Sequence, residues 1–224
     1  MKQILINGAN GKMGQALARL MKQRPELGLF PAILRSRGEE VEEPFDLVID
    51  FSTPQGAQES FALAKHYKKP FLTGTTNLPD LFLFQMQETA KFPVFYAPNV
   101  SLSVYFFTEL VRQAEAMFQE YGTSLHEIHH VHKKDAPSGT AKRLADVLNL
   151  PYEKVTYERT GEVVGTHIAA FKGPMDTVTL SHEATNRDLF AQSALEIAAW
   201  LIKQPGGFYT MKNFANFKLK ERKK

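Results

Sequence analysis

"KQILINGANGKMGQALARLMKQR", residues 2–24, is the stretch on which the fold turns. Ile4, Leu5 and Ile6 run without interruption, as expected of a strand covered on both faces in a parallel sheet. Met13, Ala16, Leu17 and Leu20 then recur at helical spacing. Between the two segments, "GANGKMG" sets Gly8, Gly11 and Gly14 three residues apart. Glycine permits the tight turn and the close approach of a pyrophosphate to a helix N-terminus, where free N–H groups and the helix dipole favour negative charge. Any tight strand-to-helix turn can use glycine. Here the triplet follows the first strand of an alternating pattern, which predicts a dinucleotide site.

Working outward, "LFPAIL" (29–34) is the next strand, with Pro31 a poor member of a ladder. "DLVIDF" (46–51) is a strand, and the helix after it begins with Thr53 as N-cap and Pro54 at the first helical position. "PFLTG" (70–74), a helix near 79–91 and "PVFYA" (93–97) continue the alternation. This is the pattern of a Rossmann-like, doubly wound α/β sheet. After Asn99 it changes. A helix over about 102–120, a strand-like "SLHEIHHVH" (124–132), a helix over 139–149 and two antiparallel strands, "GTHIAAFKG" (165–173) and "DTVTLSHEA" (176–184), precede a last helix at 188–204. The second part reads as α+β with a mixed or antiparallel sheet, so two domains are expected with a boundary near 98–101.

Composition narrows the classes. Of 224 residues, 43% are hydrophobic, enough for a packed core. There is no cysteine, which excludes disulfides, thiolate zinc sites and a thiol nucleophile. "MKQILING" is too briefly apolar for a signal peptide, and no run approaches the roughly 18 apolar residues of a membrane span, so a cytoplasmic protein without a membrane partner is expected. The tail "KLKERKK" (218–224) carries +4 against a net +3 for the whole chain, leaving the body at about −1; it reads as a solvated terminus, and no nucleic-acid partner is expected.

Two segments carry chemistry. In "LRSRGEE" (34–40), Arg35, Ser36 and Arg37 stand where a dinucleotide fold usually places an acid for the ribose. Two guanidinium groups and a hydroxyl suit a 2′-phosphate, so NADPH is the expected cofactor, with NADH also accepted; a solvated loop is the bland alternative. "EIHHVHKKDAPSGTA" (127–141) crowds histidines, lysines and a Ser-Gly-Thr turn together. Metal binding, proton transfer and anion binding are all open from this stretch alone. If residues 125–133 are extended, His129 and Lys133 point one way and His130 and His132 the other. Histidine and lysine supply cations and protons. "SGT" opening a helix offers backbone N–H groups to a carboxylate, although it also reads as an ordinary helix start capped by Ser138. No acidic or thiolate partner motif accompanies the histidines, so no metal is expected.

"GANGKMG", "VIDFSTP", "GTT" at 74–76, "APN" at 97–99, "HHVHKKDAPSGTA" and "NRDLF" (186–190) occur in this order, and together they resemble the bacterial dihydrodipicolinate reductase family over most of the chain. The resemblance implies a nicotinamide-cofactor domain formed by residues 1–100 and 188–224, and a substrate-binding, catalytic domain at 101–187. It implies reduction of 4-hydroxy-tetrahydrodipicolinate, a small cyclic dicarboxylate of the diaminopimelate route to lysine, by hydride delivered to ring C4 after loss of water. By position, His129 resembles the proton donor or acceptor and Lys133 the proton donor. His130, Ser138, Gly139 and Thr140 resemble substrate-binding positions. The implied cofactor segments are Gly8, Ala9, Asn10, Gly11, Lys12 and Met13; Phe51 and Ser52; Gly74, Thr75 and Thr76; and Ala97, Pro98, Asn99 and Val100.

The chain is shorter than the family's usual length after the second strand and between "ERTGE" and "THIAAF", and Asn77 follows the threonine pair in place of glycine. The second gap trims the sheet region through which the family assembles tetramers; a homo-oligomer is the expectation. Another nicotinamide-dependent amino-acid or imine reductase, or a regulator that binds the dinucleotide without catalysis, are the alternatives. Intact His129, Lys133 and Ser138-Gly139-Thr140 argue against the regulator.

Overall fold

The computed structural model describes residues 1–35, 44–88 and 91–222. The chain divides into two compact units, one of Met1–Ser101 with Phe190–Lys224, the other of Leu102–Leu189.

The first unit is built on a six-stranded sheet in the order β10-β5-β4-β3-β1-β2, every neighbouring pair parallel. Its strands are β1 (Lys2–Asn7), β2 (Leu29–Arg35), β3 (Leu47–Asp50), β4 (Phe71–Thr73), β5 (Pro93–Tyr96) and β10 (Gly207–Tyr209). The helices are α1 (Lys12–Gln23), α2 (Pro54–Tyr67), α3 (Asp80–Glu88), α6 (Asp188–Leu201, which begins just before the unit boundary) and α7 (Met211–Glu221). Both faces of the sheet are covered. Leu5, Val48 and Val94 pack against Phe61 of α2 and Phe82 of α3. Phe95, the next residue along β5, instead meets Trp200 of α6, which packs on Phe214 of α7. That double cover explains the unbroken apolar runs of β1 and β3. Pro31 is tolerated because β2 is an edge strand, and the ladder slips register between Ile4 and Leu5 beside it.

The second unit has a four-stranded mixed sheet, β7-β6-β8-β9. β6 (Gly122–His129) pairs parallel with β7 (Thr156–Arg159) and antiparallel with β8 (Gly165–Lys172), which pairs antiparallel with β9 (Thr177–Ala184). Two helices, α4 (Leu102–Met117) and α5 (Gly139–Val147), supply Phe107, Val111 and Leu144 to a core with Leu125, Ala169 and Phe171 of the sheet.

Four elements depart from the sequence reading. β7 and β10 are additional strands, and Lys218–Glu221 of the tail, exposed from Leu219 onward as expected, are helical and belong to α7, where Lys218 Nζ lies 3.5 Å from Glu196 of α6. β6 ends at His129, and a turn closed by the Lys133 N–H donating to the His130 carbonyl (3.1 Å) follows. The alternation expected to run through Lys133 therefore stops at His129. No helix among the described residues is long and apolar enough to cross a membrane.

Candidate active site

In the first unit, the expected cofactor segments lie at the carboxyl ends of the parallel strands. The chain runs outward from β1 to β2 and then returns to β3, so the order reverses between β1 and β3; open α/β sheets bind ligands at such a reversal. Gly8 sits there with φ +82°, and a Cβ on it would stand 2.5 Å from the Phe51 carbonyl oxygen. Only glycine lets the turn pass this close to β3. The N–H groups of Gly8 and Ala9 donate to the Arg35 carbonyl at 3.2 and 3.3 Å, which fixes the turn against β2. Beyond it, α1 starts at Lys12 with Gly11 as N-cap, no side-chain cap and no acid in its first turn. The helix dipole there favours an anion, and the glycine cradle fits a pyrophosphate.

Asp50, at the end of β3, fastens the neighbouring loops. Fully buried, it accepts from Asn7 Nδ2, Thr73 Oγ1 and Thr75 Oγ1, each at 2.7 Å, and from the Ser52 hydroxyl. The Ser52 N–H in turn donates to Thr75 Oγ1 at 3.0 Å, and the Phe51 ring fills the space beside Gly74 that a side chain would take. The Ala97 N–H donates to the Thr73 carbonyl (3.2 Å), which brings the "APN" segment to the same edge. Pro98 and Thr76 are exposed and Val100 is buried; Asn99 accepts from the Ser101 N–H at 2.9 Å. Arg35 is largely buried and its guanidinium lies 3.8 Å from Glu59 of α2. Ser36 and Arg37 lie outside the described residues.

In the second unit the histidine stretch surrounds a buried carboxylate. Glu127 is 0% exposed, with His129 at 7%, Ser138 at 3% and His167 at 5%. Glu127 and His129 are two apart on β6 and share its inward face; His167 faces them from β8, paired with Glu127 across the ladder. Glu127 Oε1 accepts from the Ser138 N–H (3.1 Å) and from Arg159 Nη2 (2.8 Å). Its Oε2 is 3.4 Å from His129 Nδ1 and 3.8 Å from His167 Nε2. Burial alone would raise the Glu127 pKa, but hydrogen bonds from Ser138 and Arg159 and the facing His129 hold it below the usual glutamate value. Burial pushes His129 and His167 down to about 4, against the attraction of Glu127, so both imidazoles are neutral near neutral pH.

Arg159 also donates to the Asp135 carbonyl at 2.7 Å, and Lys133 Nζ lies 2.7 Å from Asp135 Oδ1. The carboxyl of Asp135 is lowered: desolvation opposes this, and the Lys133 ammonium prevails. Ser138 caps α5, its hydroxyl accepting from the Ala141 N–H at 3.2 Å and lying 3.4 Å from His167 Nε2. Gly139 opens α5 with nothing within 4 Å of where a Cβ would stand. His130, just past β6, is lowered by burial and by the cation of Arg187 in "NRDLF".

The sequence reading had missed Glu127, Arg159 and His167. The signal for Glu127 was its place two residues before His129 on a strand, which puts both side chains on one face. His167 and Arg159 come from other strands and have no local signal. The donor atoms of Glu127, His129 and His167 lie within 4.8 Å of one another, so a carboxylate does accompany the histidines, contrary to the sequence reading. Arg159 already supplies the cation that balances it.

Comparison with known proteins covers both units. Residues 2–100 match the dihydrodipicolinate reductase N-terminus and residues 103–214 the dihydrodipicolinate reductase C-terminus. A 4-hydroxy-tetrahydrodipicolinate reductase of Campylobacter jejuni subsp. doylei is 36% identical over 241 residues, covering 96% of each chain. One from Xanthomonas euvesicatoria pv. vesicatoria is 37% identical over 229 residues, covering 94% of this chain and 96% of the relative. Among solved structures, the dipicolinate-bound dihydrodipicolinate reductase from Paenisporosarcina sp. TG-14 has the same fold, with a TM-score of 0.77 at 20% identity over 94% of this chain and 97% of that one.

Proposed function

The chain belongs to the dihydrodipicolinate reductase family, and from that premise we propose that it reduces 4-hydroxy-tetrahydrodipicolinate with a nicotinamide dinucleotide in the diaminopimelate route to lysine. The observation that carries this reading is the match across both units, with the proton-carrying and anion-binding groups of the motif gathered in one of them. The first unit is the dinucleotide-binding domain and the second the substrate-binding, catalytic domain.

The N-terminus of α1 and the glycine cradle hold the pyrophosphate, and the ends of β3, β4 and β5 orient the rest of the cofactor. When bound, the reduced nicotinamide supplies a hydride to C4 of the dehydrated ring. The electron pair displaced by that hydride is taken up as a C–H bond at the adjacent carbon, which needs one proton. Lys133 donates it, and neutral His129 accepts or returns protons beside it. Gly139 and Thr140, at the start of α5, present backbone N–H groups and a hydroxyl to one substrate carboxylate. Lys133 and Arg187 supply positive potential for the other, and neutral His130 offers it a ring N–H. Ser138 acts through its cap.

NADPH is the preferred cofactor, because Arg35 and Arg37 stand where an acid would select the free ribose. The working form is a homo-oligomer in the cytoplasm. The reading is tested by following cofactor oxidation with enzymatically generated substrate and each of NADPH and NADH. Turnover with roughly tenfold preference for NADPH, reduced in an Arg35→Ala/Arg37→Ala variant, is expected. No turnover with either cofactor would reject the reductase assignment.

A further inference from the structure

We propose that Glu127 is a positioning residue that fixes the tautomer and orientation of His129, holding Nδ1–H toward its own carboxylate so that the Nε2 lone pair is the one that exchanges protons. Oε2 of Glu127 and Nδ1 of His129 are both buried, and each has no hydrogen-bond partner among the described residues at strict geometry. They face each other at 3.4 Å, long for such a bond and within the adjustment of one side-chain torsion. The carboxylate is itself held: Oε1 is taken by the Ser138 N–H and by Arg159, so Glu127 cannot turn away without breaking both. The opposite edge of the ring lies beside Gly165, where a Cβ would stand 3.0 Å from His129 Nε2, so glycine leaves that nitrogen its space.

The arrangement is that of a base oriented by a third group. It also couples two parts of the site. One carboxylate touches the histidine through Oε2 and the residue that caps α5 through Oε1, so the ring and the helix start share a support. The charged groups bearing on His129 are Glu127 and Asp135, which favour its protonated form, and Lys133 and Arg159, which oppose it; His167 is its neutral neighbour.

This inference rests on the reductase reading, and its test has a readout independent of turnover. Imidazole nitrogen NMR of the full chain near neutral pH, with resonances assigned by a His129→Gln variant, should report His129 in the Nδ1–H tautomer. Glu127→Gln keeps an oxygen for Ser138 and Arg159 and turns an amide N–H toward the ring. It should move His129 to the Nε2–H tautomer and lower kcat about 10- to 100-fold, with cofactor KM within about twofold of wild type. The proposal is overturned by an Nε2–H tautomer in wild type, by an unmoved tautomer in the variant, by unchanged kcat, or by a parallel loss of cofactor binding. Should the variant not fold, the wild-type tautomer alone decides. The expected tautomers in a chain that does not turn over the cyclic substrate would reject the reductase reading and leave the Glu127–His129 pair standing.

Discussion

Lys133 lies 2.7 Å from Asp135, whose backbone carbonyl also accepts from Arg159, and Arg159 reaches Glu127. The ammonium is thus tethered in the turn after β6, at the end of a chain of charges that begins in the core. A positioned general acid contributes about 10²–10⁴-fold. Lys133→Ala should lower turnover by that order while cofactor affinity, measured by calorimetry, barely moves. Near-normal turnover would remove Lys133 from the mechanism. At the same scale, Thr140→Val removes one hydroxyl from the start of α5. It should weaken pyridine-2,6-dicarboxylate, a planar dianion of the substrate's shape, by about 1–3 kcal/mol. An unchanged dianion affinity in calorimetry would take Thr140 out of the anion site.

The ends of four strands are held as a group. Asn7 closes β1, Asp50 β3 and Thr73 β4, and the Ala97 N–H after β5 donates to the Thr73 carbonyl. Thr73→Val keeps shape but leaves Asp50 Oδ2 short of one donor and the Thr75 N–H short of its acceptor. It should cost about 1–3 kcal/mol in denaturant unfolding and weaken cofactor binding, since Ser52 and Thr75 share the same carboxylate. Unaltered stability would mean the network is slack. Elements of this kind were legible in the sequence where burial imposed a pattern: the apolar runs of β1 and β3, the amphipathic α1, the Thr53 cap that accepts from the Gly56 N–H. They were illegible where it did not. β7 is a largely exposed edge strand, "TYER", without apolar alternation, and β10 has three half-buried residues. In α7, Met211, Phe214 and Phe217 keep helical spacing, but the basic run at its end masked them. The site follows the same division. His129 and Lys133 were visible because the motif is contiguous. Arg159 and His167 reach Glu127 only through strand pairing, which no local pattern encodes.

The two units carry separate cores and different titrating groups. All but one of the seven histidines lie in the second unit, His66 being the exception, and the one tryptophan, Trp200, lies in the first, against Phe95 and Phe214. His129 and His167 are pushed down to about 4 by burial, against about 6.5 in an unfolded chain, and His130 and His182 are lowered in the same direction. Between those two values the unfolded chain binds protons that the folded second unit refuses, so its stability falls as pH drops from about 6.5 toward 4. Two such groups make the loss a few kcal/mol across the window. Glu127 adds nothing to it there: its folded pKa is lowered, so its contribution persists above the unfolded value of about 4.3 and is lost only as pH falls through the folded one. Acid should therefore loosen the second unit first. In urea at about pH 5, hydrogen exchange along β6 and β8 should accelerate at lower denaturant than the change in Trp200 fluorescence, whereas above pH 7 the two should lie closer together. His167→Gln removes one of the two strongly shifted groups and should roughly halve the pH dependence measured on β6. Equal acid sensitivity of β6 and Trp200, or a variant with the wild-type slope, would show that the buried histidines do not set the stability of this unit.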